Sequence, residues 1–248
     1  MDAPSPYFFE LFDGLPRGGP GDNASTRKAW RALSGVPPLP AILDIGCGPG
    51  MQTLELARLS GGRITAIDIH QPFLDRLERD AANLGLSEHI LALNKSMFEM
   101  DFPPGSFDVI WSEGAVFFPG FETGLNAWRA FLKKSGHIAV TEAVWLKPDP
   151  PEEVKKLWEA YPALTTIEEN LAIIARTGLR TVTHFVLPGR AWVDDYYAPM
   201  EKRIAELRRK YAGNDEALST FEACQHEVEV FRKYPGYYGY AFFIMREA

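Results

Sequence analysis

Short apolar runs alternate along this chain with segments whose apolar residues recur at helical spacing. Ala41 to Ile45 reads as a buried strand. Thr53 to Leu59 then carries one apolar face, predicting a helix over about 51–60 that Gly61-Gly62 ends. Arg63 to Ile69 is the second predicted strand. Pro72 opens a helix whose buried stripe is Phe73, Leu74, Leu77 and Ala81, and Asn83 to Leu86 closes it. Ile90 to Asn94 and Phe107 to Trp111 are the third and fourth strands. Gly124 to Lys134 reads as a helix with Lys133-Lys134 at the end that favours cations, and Gly136 to Val144 as the fifth strand. Strands and helices in this rhythm predict an α/β fold, a parallel sheet with helices on both faces and right-handed crossovers.

The flanks differ. Tyr7 to Phe12 is an aromatic cluster that predicts a short helix packed on the body. Arg17-Gly18-Gly19-Pro20-Gly21 makes a loop, and Asp22 or Asn23 caps a helix from Ala24 to Leu33. Past Pro148, Pro151 to Ala160 and Ile167 to Arg176 read as helices, the second capped by Thr165 or Thr166. Leu179 to Leu187 is a sixth strand. Trp192 to Lys210 and Asp215 to Arg232 are two long helices, and Tyr237 to Met245 is a β-rich last strand. One domain over 1–248 is expected: an N-terminal helical lid (1–36), a ligand-binding core (37–187), a helical insertion (188–235) and the last strand (236–248).

The candidate chemistry begins after the first strand. Gly46, Gly48 and Gly50 stand at alternate positions before a helix. Glycine permits positive φ and close approach of a ligand, and the helix start offers free N–H groups to an anion. A nucleotide-like ligand follows. The third glycine of a dinucleotide fingerprint is replaced by Met51, and the Gly-Lys-Ser/Thr of a phosphate loop is missing. What remains, Asp44-x-Gly46-x-Gly48-x-Gly50, resembles motif I of the class I S-adenosylmethionine (SAM) dependent methyltransferases. Asp68 ends the second strand about twenty residues after the loop, where a carboxylate accepts both ribose hydroxyls. Ala66-Ile67-Asp68-Ile69-His70 looks like motif II, and Ser106 to Gly114 resembles the fourth-strand motif.

Arg17-Gly18-Gly19-Pro20-Gly21, Trp111-Ser112-Glu113-Gly114 and Leu187 to Pro199 extend the likeness to a bacterial, type 11, small-molecule group. The resemblance implies a Rossmann-like seven-stranded sheet with an antiparallel last strand, SAM as methyl donor and S-adenosylhomocysteine (SAH) as product. It implies cofactor contacts at Asp44, Gly46, Cys47, Gly48, Gly50, Gln52, Thr53, Asp68, Ile69, Ser96, Met97, Ser112 and Arg17. Relatives often carry an Asp at or beside Ser96, so the adenine contact here falls to a backbone or hydroxyl group. Met97 either packs on the ring or fills the core.

Composition narrows the partners. The 248 residues carry a net charge of −7, which disfavours a general nucleic-acid binder. Arg203, Arg208, Arg209 and Lys210 alternate with Glu201 and Glu206 and read as a solvated helix face. Cys47 and Cys224 suggest neither a disulfide framework nor a zinc site, and no metal is expected. With no signal peptide and no bilayer-length apolar run, the expectation is a cytoplasmic enzyme without a membrane partner, and a homodimer is possible.

On the acceptor side, Glu113 follows the fourth strand and Glu142 ends the fifth, pointing into the same cleft, where ligands of open α/β sheets bind. Glu113 is the first candidate for a base or acceptor-binding group and Glu142 the second. His137 reads as structural and His70 as a ribose-side residue. Trp192, Tyr196, Tyr197, Tyr237 and Tyr238 either line an acceptor pocket or pack the late helices on the sheet. Tyr7 and Arg17 belong to a segment that closes over the cofactor. The Asn/Asp-Pro-Pro-Tyr/Phe signature of many amino-methylating enzymes is missing after the fourth strand. The functional expectation is methyl transfer to a small molecule; the alternative is a SAM-binding sensor without transfer.

Overall fold

The computed structural model describes residues 5–247; the first four residues of the expected lid and the last residue of the expected final strand lie outside them. Helices α1 (Pro6–Asp13) and α2 (Asn23–Arg31) precede β1 (Ala41–Ile45). There follow α3 (Met51–Ser60), β2 (Arg63–Asp68), α4 (Gln71–Asn83), β3 (Ile90–Asn94), β4 (Phe107–Ser112), α5 (Phe121–Arg129) and β5 (Leu132–Trp145). The second half holds α6 (Glu152–Leu157), β6 (Thr165–Thr166), α7 (Ile167–Arg176), β7 (Leu179–Val186) and α8 (Arg190–Trp192). A π turn (Val193–Tyr197) leads into α9 (Ala198–Lys210), then α10 (Asp215–Lys233) and β8 (Tyr238–Glu247).

The main path of the sheet is β3-β2-β1-β4-β5-β8-β7, and β6 adds a short pairing to the end of β5. β1 to β5 are parallel to their neighbours, while β8 runs antiparallel between β5 and β7. The expected seven-stranded α/β fold with an antiparallel last strand is therefore present, with β6 as an extra. One face buries Trp111, Ala139, Phe242 and Ile244 under α9 and α10; the other buries Ile110, Val140, Phe243 and Met245 with α5 and α7. Among the described residues, no helix is long and apolar enough to cross a membrane.

The helix expected over 151–160 is shorter, Glu152–Leu157, and two larger differences from the sequence reading stand elsewhere. The helix expected over 124–134 stops at Arg129, and Leu132-Lys133-Lys134 already belongs to β5. Backbone pairing with the β4 side decides this: Gly105 N and Phe107 N donate to the carbonyls of Ala130 and Phe131. The register then jumps from Phe107–Leu132 to Val109–His137, so the extra residues bulge, with Ser135 at a φ of 65°. The long helix expected over 192–210 is interrupted by the π turn, which one extra residue per turn creates. At the caps, the Asp22 carboxylate takes the Ser25 N–H at 2.6 Å, and Thr166 with Glu169 closes a capping box.

The basic run of α9 does more than meet solvent. Lys210 and Arg203 pair with Glu10 of α1, and Arg232 of α10 grips Glu201 through both oxygens. These pairs clamp α1 and α10 to α9 at exposed positions, where each contributes about 0–1 kcal/mol.

Candidate cofactor and acceptor site

The glycine loop after β1 has the conformation that its residues allow. Gly46, Gly48 and Gly50 have φ of 70°, 53° and 89°. A Cβ at Gly46 would meet the Ala115 methyl at 2.5 Å, and one at Gly50 would meet Leu77 Cδ1 at 2.4 Å. Side chains are thus excluded both by dihedral and by space. The N–H groups of Gly46 and Cys47 donate to the Ile67 carbonyl, which binds the loop to the end of β2.

Asp44 lies fully buried beneath this loop. Its Oδ2 accepts from the Thr53 hydroxyl at 2.6 Å, with Gln52 Nε2 at 3.4 Å, while Oδ1 has no partner. Burial pushes its carboxyl up to about 7, against the Thr53 hydrogen bond and reinforced by the charge of Glu113. Gln52 also donates to the Cys47 carbonyl at 2.8 Å. Gln52 and Thr53 therefore orient Asp44 and the loop. Cys47 is buried, and burial raises its thiol.

Asp68 accepts Gly48 N–H on Oδ2 and His70 N–H on Oδ1, both at 2.9 Å. Burial raises its carboxyl, and these two N–H groups oppose that rise. A carboxylate offers about four acceptor positions, so two hydroxyl donors can still be taken. Ile69 just beyond is 63% exposed, free to face a flat ring. Ser96 accepts Phe98 N–H at 3.2 Å, and Met97 packs on the core with Cε 3.6 Å from the Cβ position of Gly46. Ser112 spends its hydroxyl on the Ile45 carbonyl at 2.9 Å, tying the ends of β4 and β1 together.

Over this floor lies the N-terminal segment. The Gly18 nitrogen is 3.8 Å from the Cβ position of Gly48. Phe9 stacks on His70 with centroids 4.4 Å apart, Asp13 pairs with His70 Nε2, and Arg76 donates to the Leu15 carbonyl. His70 is thereby tied to α1 by both its ring face and its nitrogen. Arg17 reaches inward to Glu113 at 2.9 Å and to Asn23, with its Nε unpartnered.

That contact changes the reading of Glu113. Its Oε2 takes Arg17, and its Oε1 takes the Thr26 hydroxyl at 2.7 Å and the Trp111 indole N–H at 2.9 Å. Arg17 and Glu113 side chains are each 3% exposed. Expected as the first candidate for a base or acceptor-binding group, Glu113 has its two oxygens occupied by three donors of the chain itself, an arrangement that suits an anchor for the N-terminal segment.

Glu142 is different. It is 3% exposed, Oε1 accepts Ala143 N–H at 2.8 Å, and Oε2 has no partner. Burial pushes its carboxyl up to about 8, opposed by the Ala143 N–H and the nearby Tyr161 hydroxyl. Tyr161 forms no hydrogen bond of ordinary geometry, so both groups face the interior unsatisfied. His137 is buried inside β5 with its charged form disfavoured, as a structural histidine would be.

The late aromatics divide. Trp192 and Tyr197 are sealed among Phe231, Tyr238 and Tyr240, and Tyr197 donates to Glu227 at 2.8 Å. Tyr237 lies outside, under the Lys147 ammonium. Tyr161, Tyr240 and Glu227 were not singled out as site residues from sequence; Glu227 is half-buried on the face of α10 that carries Cys224, Val228 and Phe231.

The family described as methyltransferase domain matches residues 42–136. The chain is 27% identical to a 27-O-demethylrifamycin SV methyltransferase of Amycolatopsis mediterranei over 85% of this chain and 78% of that one. It is 31% identical to a sterol 24-C-methyltransferase of Gibberella zeae over 66% of this chain, and the match spans only 45% of the sterol enzyme's length. A SAM-dependent methyltransferase of Geobacter sulfurreducens, solved with SAH bound, superposes with a TM-score of 0.84 at 21% identity, covering 98% and 99% of the two chains. YjhP of E. coli superposes with a TM-score of 0.86 at 20% identity, covering 98% and 100%. At that identity the two structures speak to the fold.

Proposed function

We propose that the chain is a class I SAM-dependent methyltransferase and moves the SAM methyl group to a small-molecule acceptor by in-line displacement. The observation that carries this reading is the buried, unpaired Asp44 Oδ1 beneath a loop where no side chain fits. A fixed acceptor with no protein partner suits the ammonium of the donor's methionine part. SAM itself supplies an activated methyl on a sulfonium when bound. Asp44, held by Thr53 and Gln52, would take the ammonium. Asp68 would take the ribose hydroxyls, and Ile69, Ser96 and Met97 would flank the adenine. The free Nε of Arg17 suits the carboxylate, and the Gly46–Gly50 loop with Cys47 and Ser112 shapes the wall.

On the acceptor side, Glu142 is the group suited to receive a proton. Its Oε2 is free, and burial holds its affinity for a proton near neutrality, where a base is most useful. Alignment of the reactants is worth about 7–11 kcal/mol, and a base about 10²–10⁴-fold. We read residues up to 36 as a lid on one domain, latched by Arg17 on Glu113, that keeps water from the reacting atoms. The net charge of −7 supports an enzyme that acts without nucleic acid.

Thermal unfolding with SAM, SAH and NAD tests the reading. Ligand at about 100 times its dissociation constant adds roughly 2.7 kcal/mol. The expected result is a rise with SAM and SAH and none with NAD; no rise with SAM or SAH would refute it.

A further inference from the structure

We propose that Glu142, Tyr161, Tyr196, Tyr238, Tyr240 and Glu227 form the acceptor subsite, and that it selects an acceptor carrying a protonated amine. The inference rests on the methyl-transfer reading above.

Position comes first. Tyr240 pairs with Ala143 across β5 and β8, and its ring carbon Cε2 is 3.5 Å from the Cβ position of Gly114. Gly114 precedes Ala115, which touches Gly46 of the glycine loop. Tyr240 thus stands one loop away from the cofactor floor. Tyr161 comes in beside Phe117 of the same post-β4 loop, with ring centroids 5.8 Å apart. The π turn brings Tyr196 and Tyr197 inward together toward Glu227.

The cluster also contains polar atoms without a hydrogen-bond partner. Glu142 Oε2 and the hydroxyls of Tyr161 and Tyr238 are buried with no partner. Leaving such a group unpaired costs about 1–3 kcal/mol, which argues for a ligand that completes it. Tyr240 and Tyr196 retain 8% and 6% exposure, whereas Tyr197, Phe221 and Phe242 beside them retain none. Of these five side chains, Tyr240 and Tyr196 are the two that keep some exposure.

Charge selects the ligand. Glu10, Glu113, Glu153, Glu201 and Glu247 each hold a cationic side chain. Glu142 and Glu227 hold none among the described residues, and burial raises both carboxyls, so each needs a positive charge beside it to stay ionised. Tyrosine faces around two unpaired carboxylates favour an ammonium, through charge and ring quadrupole together. An acceptor with a carboxylate or phosphate would be repelled, and a neutral alcohol would leave the charge uncompensated. In the transfer, an ammonium proton passes to Glu142. The freed nitrogen lone pair bonds the methyl carbon as the carbon–sulfur bond breaks. That bond's electron pair stays on sulfur, and the product leaves as a methylammonium.

The test is calorimetric titration of the SAH-saturated protein with phenethylamine, phenethyl alcohol and phenylacetate. The amine should bind at least about tenfold more tightly than the alcohol, the scale of one charge-assisted hydrogen bond, and phenylacetate should not bind. Glu142→Gln should lose about tenfold or more for the amine, and Tyr161→Phe less, while SAH still raises the melting temperature of both. Equal or tighter binding of the alcohol or the acid overturns the assignment, as does the absence of amine binding to SAH-loaded protein. Failure of SAH itself to bind is a separate result. It withdraws the methyl-transfer reading, and this one with it.

Discussion

Glu113→Gln separates an anchor from a base. In the structure Glu113 answers three donors, one of them the guanidinium of Arg17 with both side chains 3% exposed. The amide is nearly isosteric, and its oxygen can still accept from Thr26 and Trp111. Its NH₂ group then faces Arg17, donor against donor, and the guanidinium loses its counter-charge in a buried site. Removing one partner of such a pair costs about 3–5 kcal/mol. For a chain of this size, 1 kcal/mol moves the melting temperature by about 2–4 °C, so a fall of about 6–20 °C is expected if the whole fold bears the cost. The lid offers an escape: if the Arg17 loop opens alone, the loss is capped at its local opening energy. Two assays therefore run together, calorimetric melting and the rate of tryptic cleavage at Arg17. The anchor reading requires a lower melting temperature or faster cleavage. If neither changes while turnover collapses, Glu113 is a base and the anchor is refuted. A double substitution, Arg17→Met with Glu113→Gln, should recover part of the loss, since no buried charge then remains.

Asp68→Ala should weaken SAM binding by about 10- to 150-fold, the worth of charge-assisted hydrogen bonds to the ribose, as measured by titration calorimetry; unchanged affinity would remove Asp68 from the site. Gly50→Ala combines a φ of 89° with a 2.4 Å clash on Leu77 and should cost at least about 1–3 kcal/mol in urea unfolding. Adding Leu77→Ala removes the clash but leaves the backbone strain, so the cost of Gly50→Ala in that background should shrink without vanishing. Glu142 has its carboxyl raised from an ordinary 4.5 to about 8, so between those values the folded protein holds a proton that the unfolded chain has lost. Its contribution to stability is thus largest at low pH and declines as pH climbs through that window. Glu142→Gln should flatten the decline in urea unfolding between about pH 5 and 8; identical slopes in both proteins would contradict a buried, proton-holding Glu142.

Much of this protein was fixed locally. Gly46, Gly48 and Gly50 announce a positive-φ loop because few other residues adopt those dihedrals; Asp68 follows from its place at the end of the second strand, and Asp44 from the motif resemblance. Strand and helix periods located β1, α3, β3 and α7 to the residue, since the apolar face repeats with the element's own geometry. Where α5 ends was not legible, because Lys133-Lys134 suits a helix terminus as well as a bulged strand. Pairing of Gly105 and Phe107 with the Ala130 and Phe131 carbonyls settled it. The role of Glu113 was likewise hidden, for its donors Arg17 and Thr26 lie 96 and 87 residues away in the chain. Glu142, expected to end the fifth strand, lies inside β5 opposite Ala241 of β8; its unpaired oxygen and raised carboxyl arise from what β8 and Tyr161 bring against it. Local dihedral and periodic preferences act within a few residues, so the sequence alone determined the loop and the sheet. Desolvation and hydrogen-bond partnership depend on what surrounds a group in space, so only the tertiary structure decided which carboxylate, Glu113, is taken up by donors of the chain and which, Glu142, keeps an unpartnered oxygen.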